Sequence, residues 1–230
     1  MALPALRPLE LNRSPRYRET AYNAIKEAIL SGAIPPHQPL VEEQLAASLA
    51  ISRTPVREAL AILEHEGLIG PRGGRGLYVC TLSREEFVAM FVANEAVEPY
   101  LVRRAALRAT EEHLATMAVR LEDAGRAVAG GDLAGFLRAS RDFHRLVGEA
   151  SGNQPLTRFV VANEERTDMY LLSEGKQIEP AKMEASNREH AAILAALVAR
   201  DPEDAARLTI YHAQALRQRL ADLFAGPQEE

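Results

Sequence analysis

The 230-residue sequence predicts a mostly α protein in two parts, a small helical head closed by a β-hairpin and a longer all-α bundle. Three observations carry this. Helix-start and helix-stop residues bracket three short segments of apolar periodicity before residue 68. A glycine-rich turn between β-forming residues, "LIGPRGGRGLYVC", follows directly. Beyond Cys80 no alternating pattern appears, and helical periodicity runs on between helix breakers.

Taken in order, residues 1–12 read as a flexible tail. Arg7 and Glu10 interrupt the apolar core that a signal peptide needs. Residues 16–31 read as a helix, because Tyr17, Ala21, Ala24, Ile25, Ala28 and Ile29 recur at helical spacing and Gly32 follows. "AIPPHQP" is a loop, since its prolines forbid a regular element. Residues 42–49, "EEQLAASL", form a short helix with Glu42 and Glu43 favoured by the dipole at its start. In "SRTPVREALAILEHEGL" Thr54 is the expected N-cap, Pro55 the first helical residue and Gly67 the stop, with Leu60, Leu63 and Leu68 turned to a core. Three helices and a hairpin, in that order, are the elements of a winged helix-turn-helix over residues 13–80. The bundle follows over 83–226. Ser83 and Glu86 form its first capping box, and Asp201 with Pro202 opens its last helix. Breaks near Thr110, Gly130-Gly131, Gly152-Asn153, Gly175 and Arg200-Asp201 cut it into about six helices.

Composition narrows the function classes. The chain is 47% hydrophobic and 26% charged, as a globular protein is. No apolar run reaches the roughly 18 residues of a membrane helix. A single cysteine, Cys80, excludes an internal disulfide framework and points to a cytoplasmic setting. The net charge of -5 does not advertise a nucleic-acid binder. Its distribution says more: residues 1–80 carry 9 Lys/Arg against 8 Asp/Glu, the remainder 18 against 24. Arg53 and Arg57 sit where a helix start favours acids, so a polyanion outside the chain is the expected partner. The leading end of the second helix of such a motif enters the major groove. There an arginine fork fits guanine O6 and N7, and Thr54 suits a phosphate. Arg72, Arg75 and Gly76 in "RGGRG" place two cations on a turn whose glycines let backbone approach DNA closely.

The combination over residues 17–80, "SRTPVREALAILEHEGLI" followed by "RGLYV", resembles the N-terminal domain of GntR-family bacterial transcription regulators. Val41 stands where that family often has a capping serine. The resemblance implies operator DNA as a partner and a repressor acting as a homodimer, with no membrane association.

Three histidines lie mid-helix on separate helices: "RDFHRLVGEASGN" (His144), "NREHAAILAALVAR" (His190) and "LTIYHAQAL" (His212). A single histidine of this kind is ordinarily a packed core residue. Three could converge on a divalent ion, since imidazole suits Zn, Ni or Mn. Spacing alone leaves both readings open. His113 reads as a solvated residue near a helix start. Residues 83–225 further resemble the FCD subgroup of GntR regulators, whose effector domain often holds a metal with three histidines and an Asp or Asn. The resemblance assigns His144, His190 and His212 as metal ligands. It places Ser140 at the fourth position, since Asp142 lies on another face of the helix. In many relatives an arginine that can grip a carboxylate precedes a glutamate by four residues; "ANEAVEP" has Asn94 there, ahead of Glu98. Asn94 and Ser140 are therefore the expected effector-binding positions, for a small and anionic effector. The rival reading is a metal-dependent hydrolase built on the three histidines, and a metal-buffering scaffold is a third; neither gives the recognition-helix arginines a task.

Overall fold

A computed structural model describes residues 15–36, 38–173 and 178–220. The expected tail over residues 1–12 and the end of the bundle beyond residue 220 lie outside them. The described residues fall into two compact units, one within Met1–Glu27 and Gln38–Val79, the other within Ala28–His37 and Cys80–Glu230. Among them, no helix is long and apolar enough to cross a membrane.

The first unit takes in most of helix α1 (Pro15–Leu30), then α2 (Glu42–Ser48), α3 (Arg53–His65), β1 (Ile69–Arg72) and β2 (Arg75–Val79). Val41 caps α2 with no side-chain bond, as its apolar side chain requires. The start of α3 differs from the sequence expectation. Ser52, in extended backbone, is the N-cap, and Thr54 and Pro55 lie inside the first turn. Proline is tolerated at the third helical position because that amide has no intrahelical acceptor. Val56, Ala59, Leu60 and Leu63 bury one face of α3, leaving Arg53 and Arg57 on the exposed side. β1 and β2 pair antiparallel, and Gly73 and Gly74 between them both have positive φ, which only glycine adopts freely. The Leu40 amide donates to the Leu77 carbonyl at 2.8 Å, tying the hairpin to the loop before α2.

The second unit is helical: α4 (Arg84–Arg108), α5 (Glu111–Ala129), α6 (Leu133–Ser151), α7 (Gln154–Ser173), α8 (Pro180–Val198) and α9 (Pro202–Arg219). The Ser83–Glu86 capping box starts α4, and the Asp201 carboxylate accepts from the amides of Glu203 and Asp204 to start α9. His113 is not merely solvated: its Nδ1 accepts from the Thr110 amide at 3.2 Å while its own amide donates to Thr110 Oγ1 at 3.2 Å. It takes the place glutamate usually fills in a capping box.

Among the described residues, two apolar clusters form the core of this unit, with polar residues between them on several of its helices. One cluster contains Val102, Phe143, Val147, Ile193 and Ala206. The other contains Phe87, Phe136, Tyr170, Met183 and Leu220. Between the two sets, α4 carries Asn94 and Glu98 and α6 carries Arg141, with His144 beside Phe143 at the edge of the first; α7, which enters only the second cluster, carries Glu164 and Asp168 ahead of it. On α8 the same interval holds Glu189 and His190, and on α9 it holds His212. Asn94, Arg141, Asp168, His190 and His212 are all buried.

Close approach of α6 and α7 holds this layer together. A Cβ on Gly148 would lie 2.7 Å from the Thr157 side chain, which is fixed by its own hydrogen bond to the Asn153 carbonyl at 2.8 Å. Gly148→Ala is therefore expected to cost about 1–3 kcal/mol of stability by overpacking. A urea melt with an unchanged midpoint would show that the two helices part without penalty.

Candidate functional site

In the head, the recognition-helix arginines are organised by a residue that the sequence reading named only as a helix-start acid. Glu42, at the start of α2, accepts from Arg57 Nε and Nη2, both at 2.8 Å, and lies 3.7 Å from Arg53 Nη2. Hydrogen bonding to Arg57 holds the Glu42 carboxyl below its ordinary range. Among the described residues, the α3 start has no acid in its first turn and no side-chain bond from its N-cap. Arg72 and Gly76 lie on the exposed hairpin, and the backbone of Arg75 opens β2; the Arg75 side chain lies outside what the structure describes.

In the bundle, the structure brings His144, His190 and His212 together, with one ring nitrogen of each within 4.8 Å of the other two. His190 and His212 approach at 3.1 Å between their Nε2 atoms. That is about the separation of two nitrogens that each lie roughly 2.1 Å from one ion at near right angles. Two of the rings are oriented by carboxylates: Glu98 Oε2 lies 2.8 Å from His144 Nδ1, and Glu189 Oε2 lies 2.7 Å from His212 Nδ1. A carboxylate only accepts, so Nδ1 carries the proton in both neutral rings and Nε2 keeps its lone pair. Burial drives the third ring, His190, well below the ordinary imidazole range, and its two histidine neighbours push it the same way. His190 is therefore neutral at physiological pH, as a ligand must be. Its Nδ1 is buried without a hydrogen-bond partner. Burial also works against a charge on His144, and Glu98 outweighs it, lifting this imidazole to about 9 in the metal-free protein. The donor set and its carboxylate supports fit a divalent ion.

His144 and His212 border a cavity, along with Asn94 and Ser140, the two expected effector positions. Its walls are apolar over Phe87, Phe91, Leu171 and Met183. Ser140 stands one helical turn before His144, while Asp142 pairs with Arg145 at 3.3 Å. Asn94 does not stand free. Its Nδ2 donates to Glu164 Oε1 at 2.8 Å and its Oδ1 accepts from Asn163 Nδ2 at 3.0 Å. Asp168 pairs with Arg141; burial, opposed by that guanidinium, pushes the Asp168 carboxyl to about 7. Glu164 is likewise raised, first by burial.

Sequence reasoning missed Glu164, Asp168, Arg141 and Glu189. A signal existed in α7, where Val160, Glu164, Thr167, Asp168 and Leu171 follow one helical stripe. Acids on an otherwise apolar stripe are the exceptions that ask for a partner.

A winged helix-turn-helix head with exposed recognition-helix arginines, followed by a helical bundle, is the organisation of a DNA-binding transcription regulator. Residues 17–79 match the family described as bacterial regulatory proteins of the gntR family, and residues 89–215 match the FCD domain. The chain belongs to the GntR family and carries an FCD domain. It is similar to the HTH-type transcriptional repressor RspR of Escherichia coli K12, 26% identical with 93% of each chain covered. A probable D-xylose utilization operon transcriptional repressor of Paenarthrobacter nicotinovorans is 31% identical, with 81% of each chain covered. Among solved structures, E. coli McbR/YncC shares the fold at a TM-score of 0.76 and 24% identity, covering 90% of this chain and 97% of its own.

Proposed function

We propose that this chain is an operator-binding repressor whose bundle, residues 83–226, binds a small carboxylate-bearing effector beside a divalent ion, acting on DNA in the cytoplasm. The observation that carries it is the convergence of three imidazoles, from α6, α8 and α9, beside an apolar-walled cavity. The similar proteins named as repressors support the sign of regulation. A head over residues 13–80 presents Arg53, Thr54 and Arg57 to the major groove, with Arg72, Arg75 and Gly76 on the wing. Glu42 holds the Arg57 fork extended in free protein, and the partner it loses on DNA is replaced by a base edge. Arg57→Ala should cost about 1–3 kcal/mol of specific binding. The measurement is a titration against operator and scrambled DNA at one salt concentration. An equal loss on both reduces Arg57 to a phosphate contact.

His144, His190 and His212 would hold Zn, Ni or Mn. The bound ion supplies positive charge for an anionic effector group, with the Ser140 position left open to that group. Ser140→Asp fills the position with a carboxylate. It should tighten metal retention and weaken effector binding together. Elemental analysis of protein stripped with EDTA and reloaded is the first check: fewer than stoichiometric ions in wild type, or no loss in His190→Ala, reduces the cluster to core packing.

Homodimerisation has its own observation. Val92, Ala96, Tyr100 and Leu107 are exposed along one face of α4, an apolar stripe of the kind a self-complementary interface covers. Leu107→Glu should convert a dimer to a monomer by light scattering at micromolar concentration; a monomeric wild type sinks the idea.

A further inference from the structure

We infer that the effector carries a protonated amine as well as an acid group, and that Glu164 on α7 holds the amine at the cavity wall. This rests on the reading of the cavity as the effector site. The argument is an inventory of charge. Four acidic side chains line the cavity: Glu95, Glu98, Glu164 and Asp168. Three are engaged by basic side chains. Glu95 pairs with Arg217 at 3.2 Å, Glu98 with His144 at 2.8 Å and Asp168 with Arg141. The cations that line the same cavity are also engaged. Arg219 donates twice to Glu189 at 2.6 Å, and Lys182 lies 3.8 Å from Glu179.

Glu164 remains. Among the described residues it has no ion-pair partner, and its one side-chain hydrogen bond is the 2.8 Å bond from Asn94. Nor does it belong to the group that converges with the three imidazoles. Asn94 is buried and fixed on its other side by Asn163, so the amide cannot turn away to leave Glu164 to water. The surroundings are the rings and alkyl chains of Phe87, Phe91, Leu171 and Met183. A carboxylate in such walls is contacted by one neutral amide alone; burial raises it, and His144 and His212 act on its charge only from beyond contact distance. A ligand ammonium supplies a positive charge in contact and several donors at once, whereas a hydroxyl supplies one donor and no charge. An apolar body between an acid end and an amine end matches a cavity with imidazoles and an unpaired carboxylate on apolar walls. The class is an amino acid with an apolar body.

Matched probes test this on the full-length protein. Calorimetry compares leucine with 2-hydroxy-4-methylpentanoate, phenylalanine with 3-phenyllactate, and 5-aminopentanoate with 5-hydroxypentanoate. In at least one pair the amine member should bind about tenfold or more tighter than its hydroxy partner. Glu164→Gln keeps the acceptor for Asn94 and removes the charge. It should bring that ratio to about one, chiefly by weakening the amine member. Hydroxy acids that bind as tightly as their amine partners overturn the inference and leave the effector cavity standing. An amine preference that survives Glu164→Gln assigns the amine elsewhere and overturns the role of Glu164. Binding by neither series overturns the inference together with the effector reading. The wild-type ratios decide the amine on their own should the variant fail to fold.

Discussion

Ionisable groups in the middle of a helical bundle need partners, and in this chain those partners come from other helices. That constraint organises the helical domain. Glu98 on α4 serves His144 on α6, and Glu189 on α8 serves both His212 and Arg219 on α9. Arg141 on α6 serves Asp168 on α7. Each pair fixes the rotation of two helices at once, which apolar contacts do only loosely. The two apolar clusters supply the non-directional stability. The polar residues between them fix which faces meet, and so place three imidazoles in one spot.

The head solves a related problem at the surface. Two arginines at a helix start oppose the helix dipole and each other. Glu42, itself placed by the dipole of the preceding helix, relieves both in the free protein through exposed contacts that are individually weak. Weakness suits an interaction that must be exchanged for a polyanion. A buried pair in the same place would bind the fork too firmly to be given up.

The elements of this fold were legible because they are written locally. Ser83 with Glu86, Asp201 with Pro202, and the glycine pairs mark boundaries that the structure reproduces. The α3 start slipped by two residues because Ser52 and Thr54 are both good caps and proline is tolerated in any early helical position. His113 was misread because histidine at the third position of a capping box is unusual chemistry for that place. At the site, the resemblance led to the expectation that the three rings converge, which spacing alone left open, and the structure brings them together. Glu42–Arg57 spans 15 residues and His212–Glu189 spans 23. Such contacts depend on helix packing, about which local spacing is silent. Glu164 was hidden for the same reason: that no described basic side chain contacts it is visible only once its neighbours on other helices have been placed.

The proposed effector cavity also has an energetic requirement, and the polar layer offers the groups to meet it. A ligand shifts a conformational equilibrium only by its difference in affinity for the two states, and a nearly complete switch takes a difference of about 10⁴-fold. Contact with one helix cannot deliver that, because one helix carries its groups with it unchanged. Here the cavity is bordered by Asn94 and Glu98 on α4, Ser140 and His144 on α6, Glu164 and Asp168 on α7 and His212 on α9. A molecule that touches several of these at once measures the distances between helices. Any shift of α7 against α6 changes the separation between Glu164 and the imidazoles, and with it the fit of a ligand bound at both ends. A two-ended ligand is thus a sharper gauge of bundle geometry than an anion held at one point. That gives physical sense to pairing an unbalanced carboxylate with a histidine cluster in one cavity.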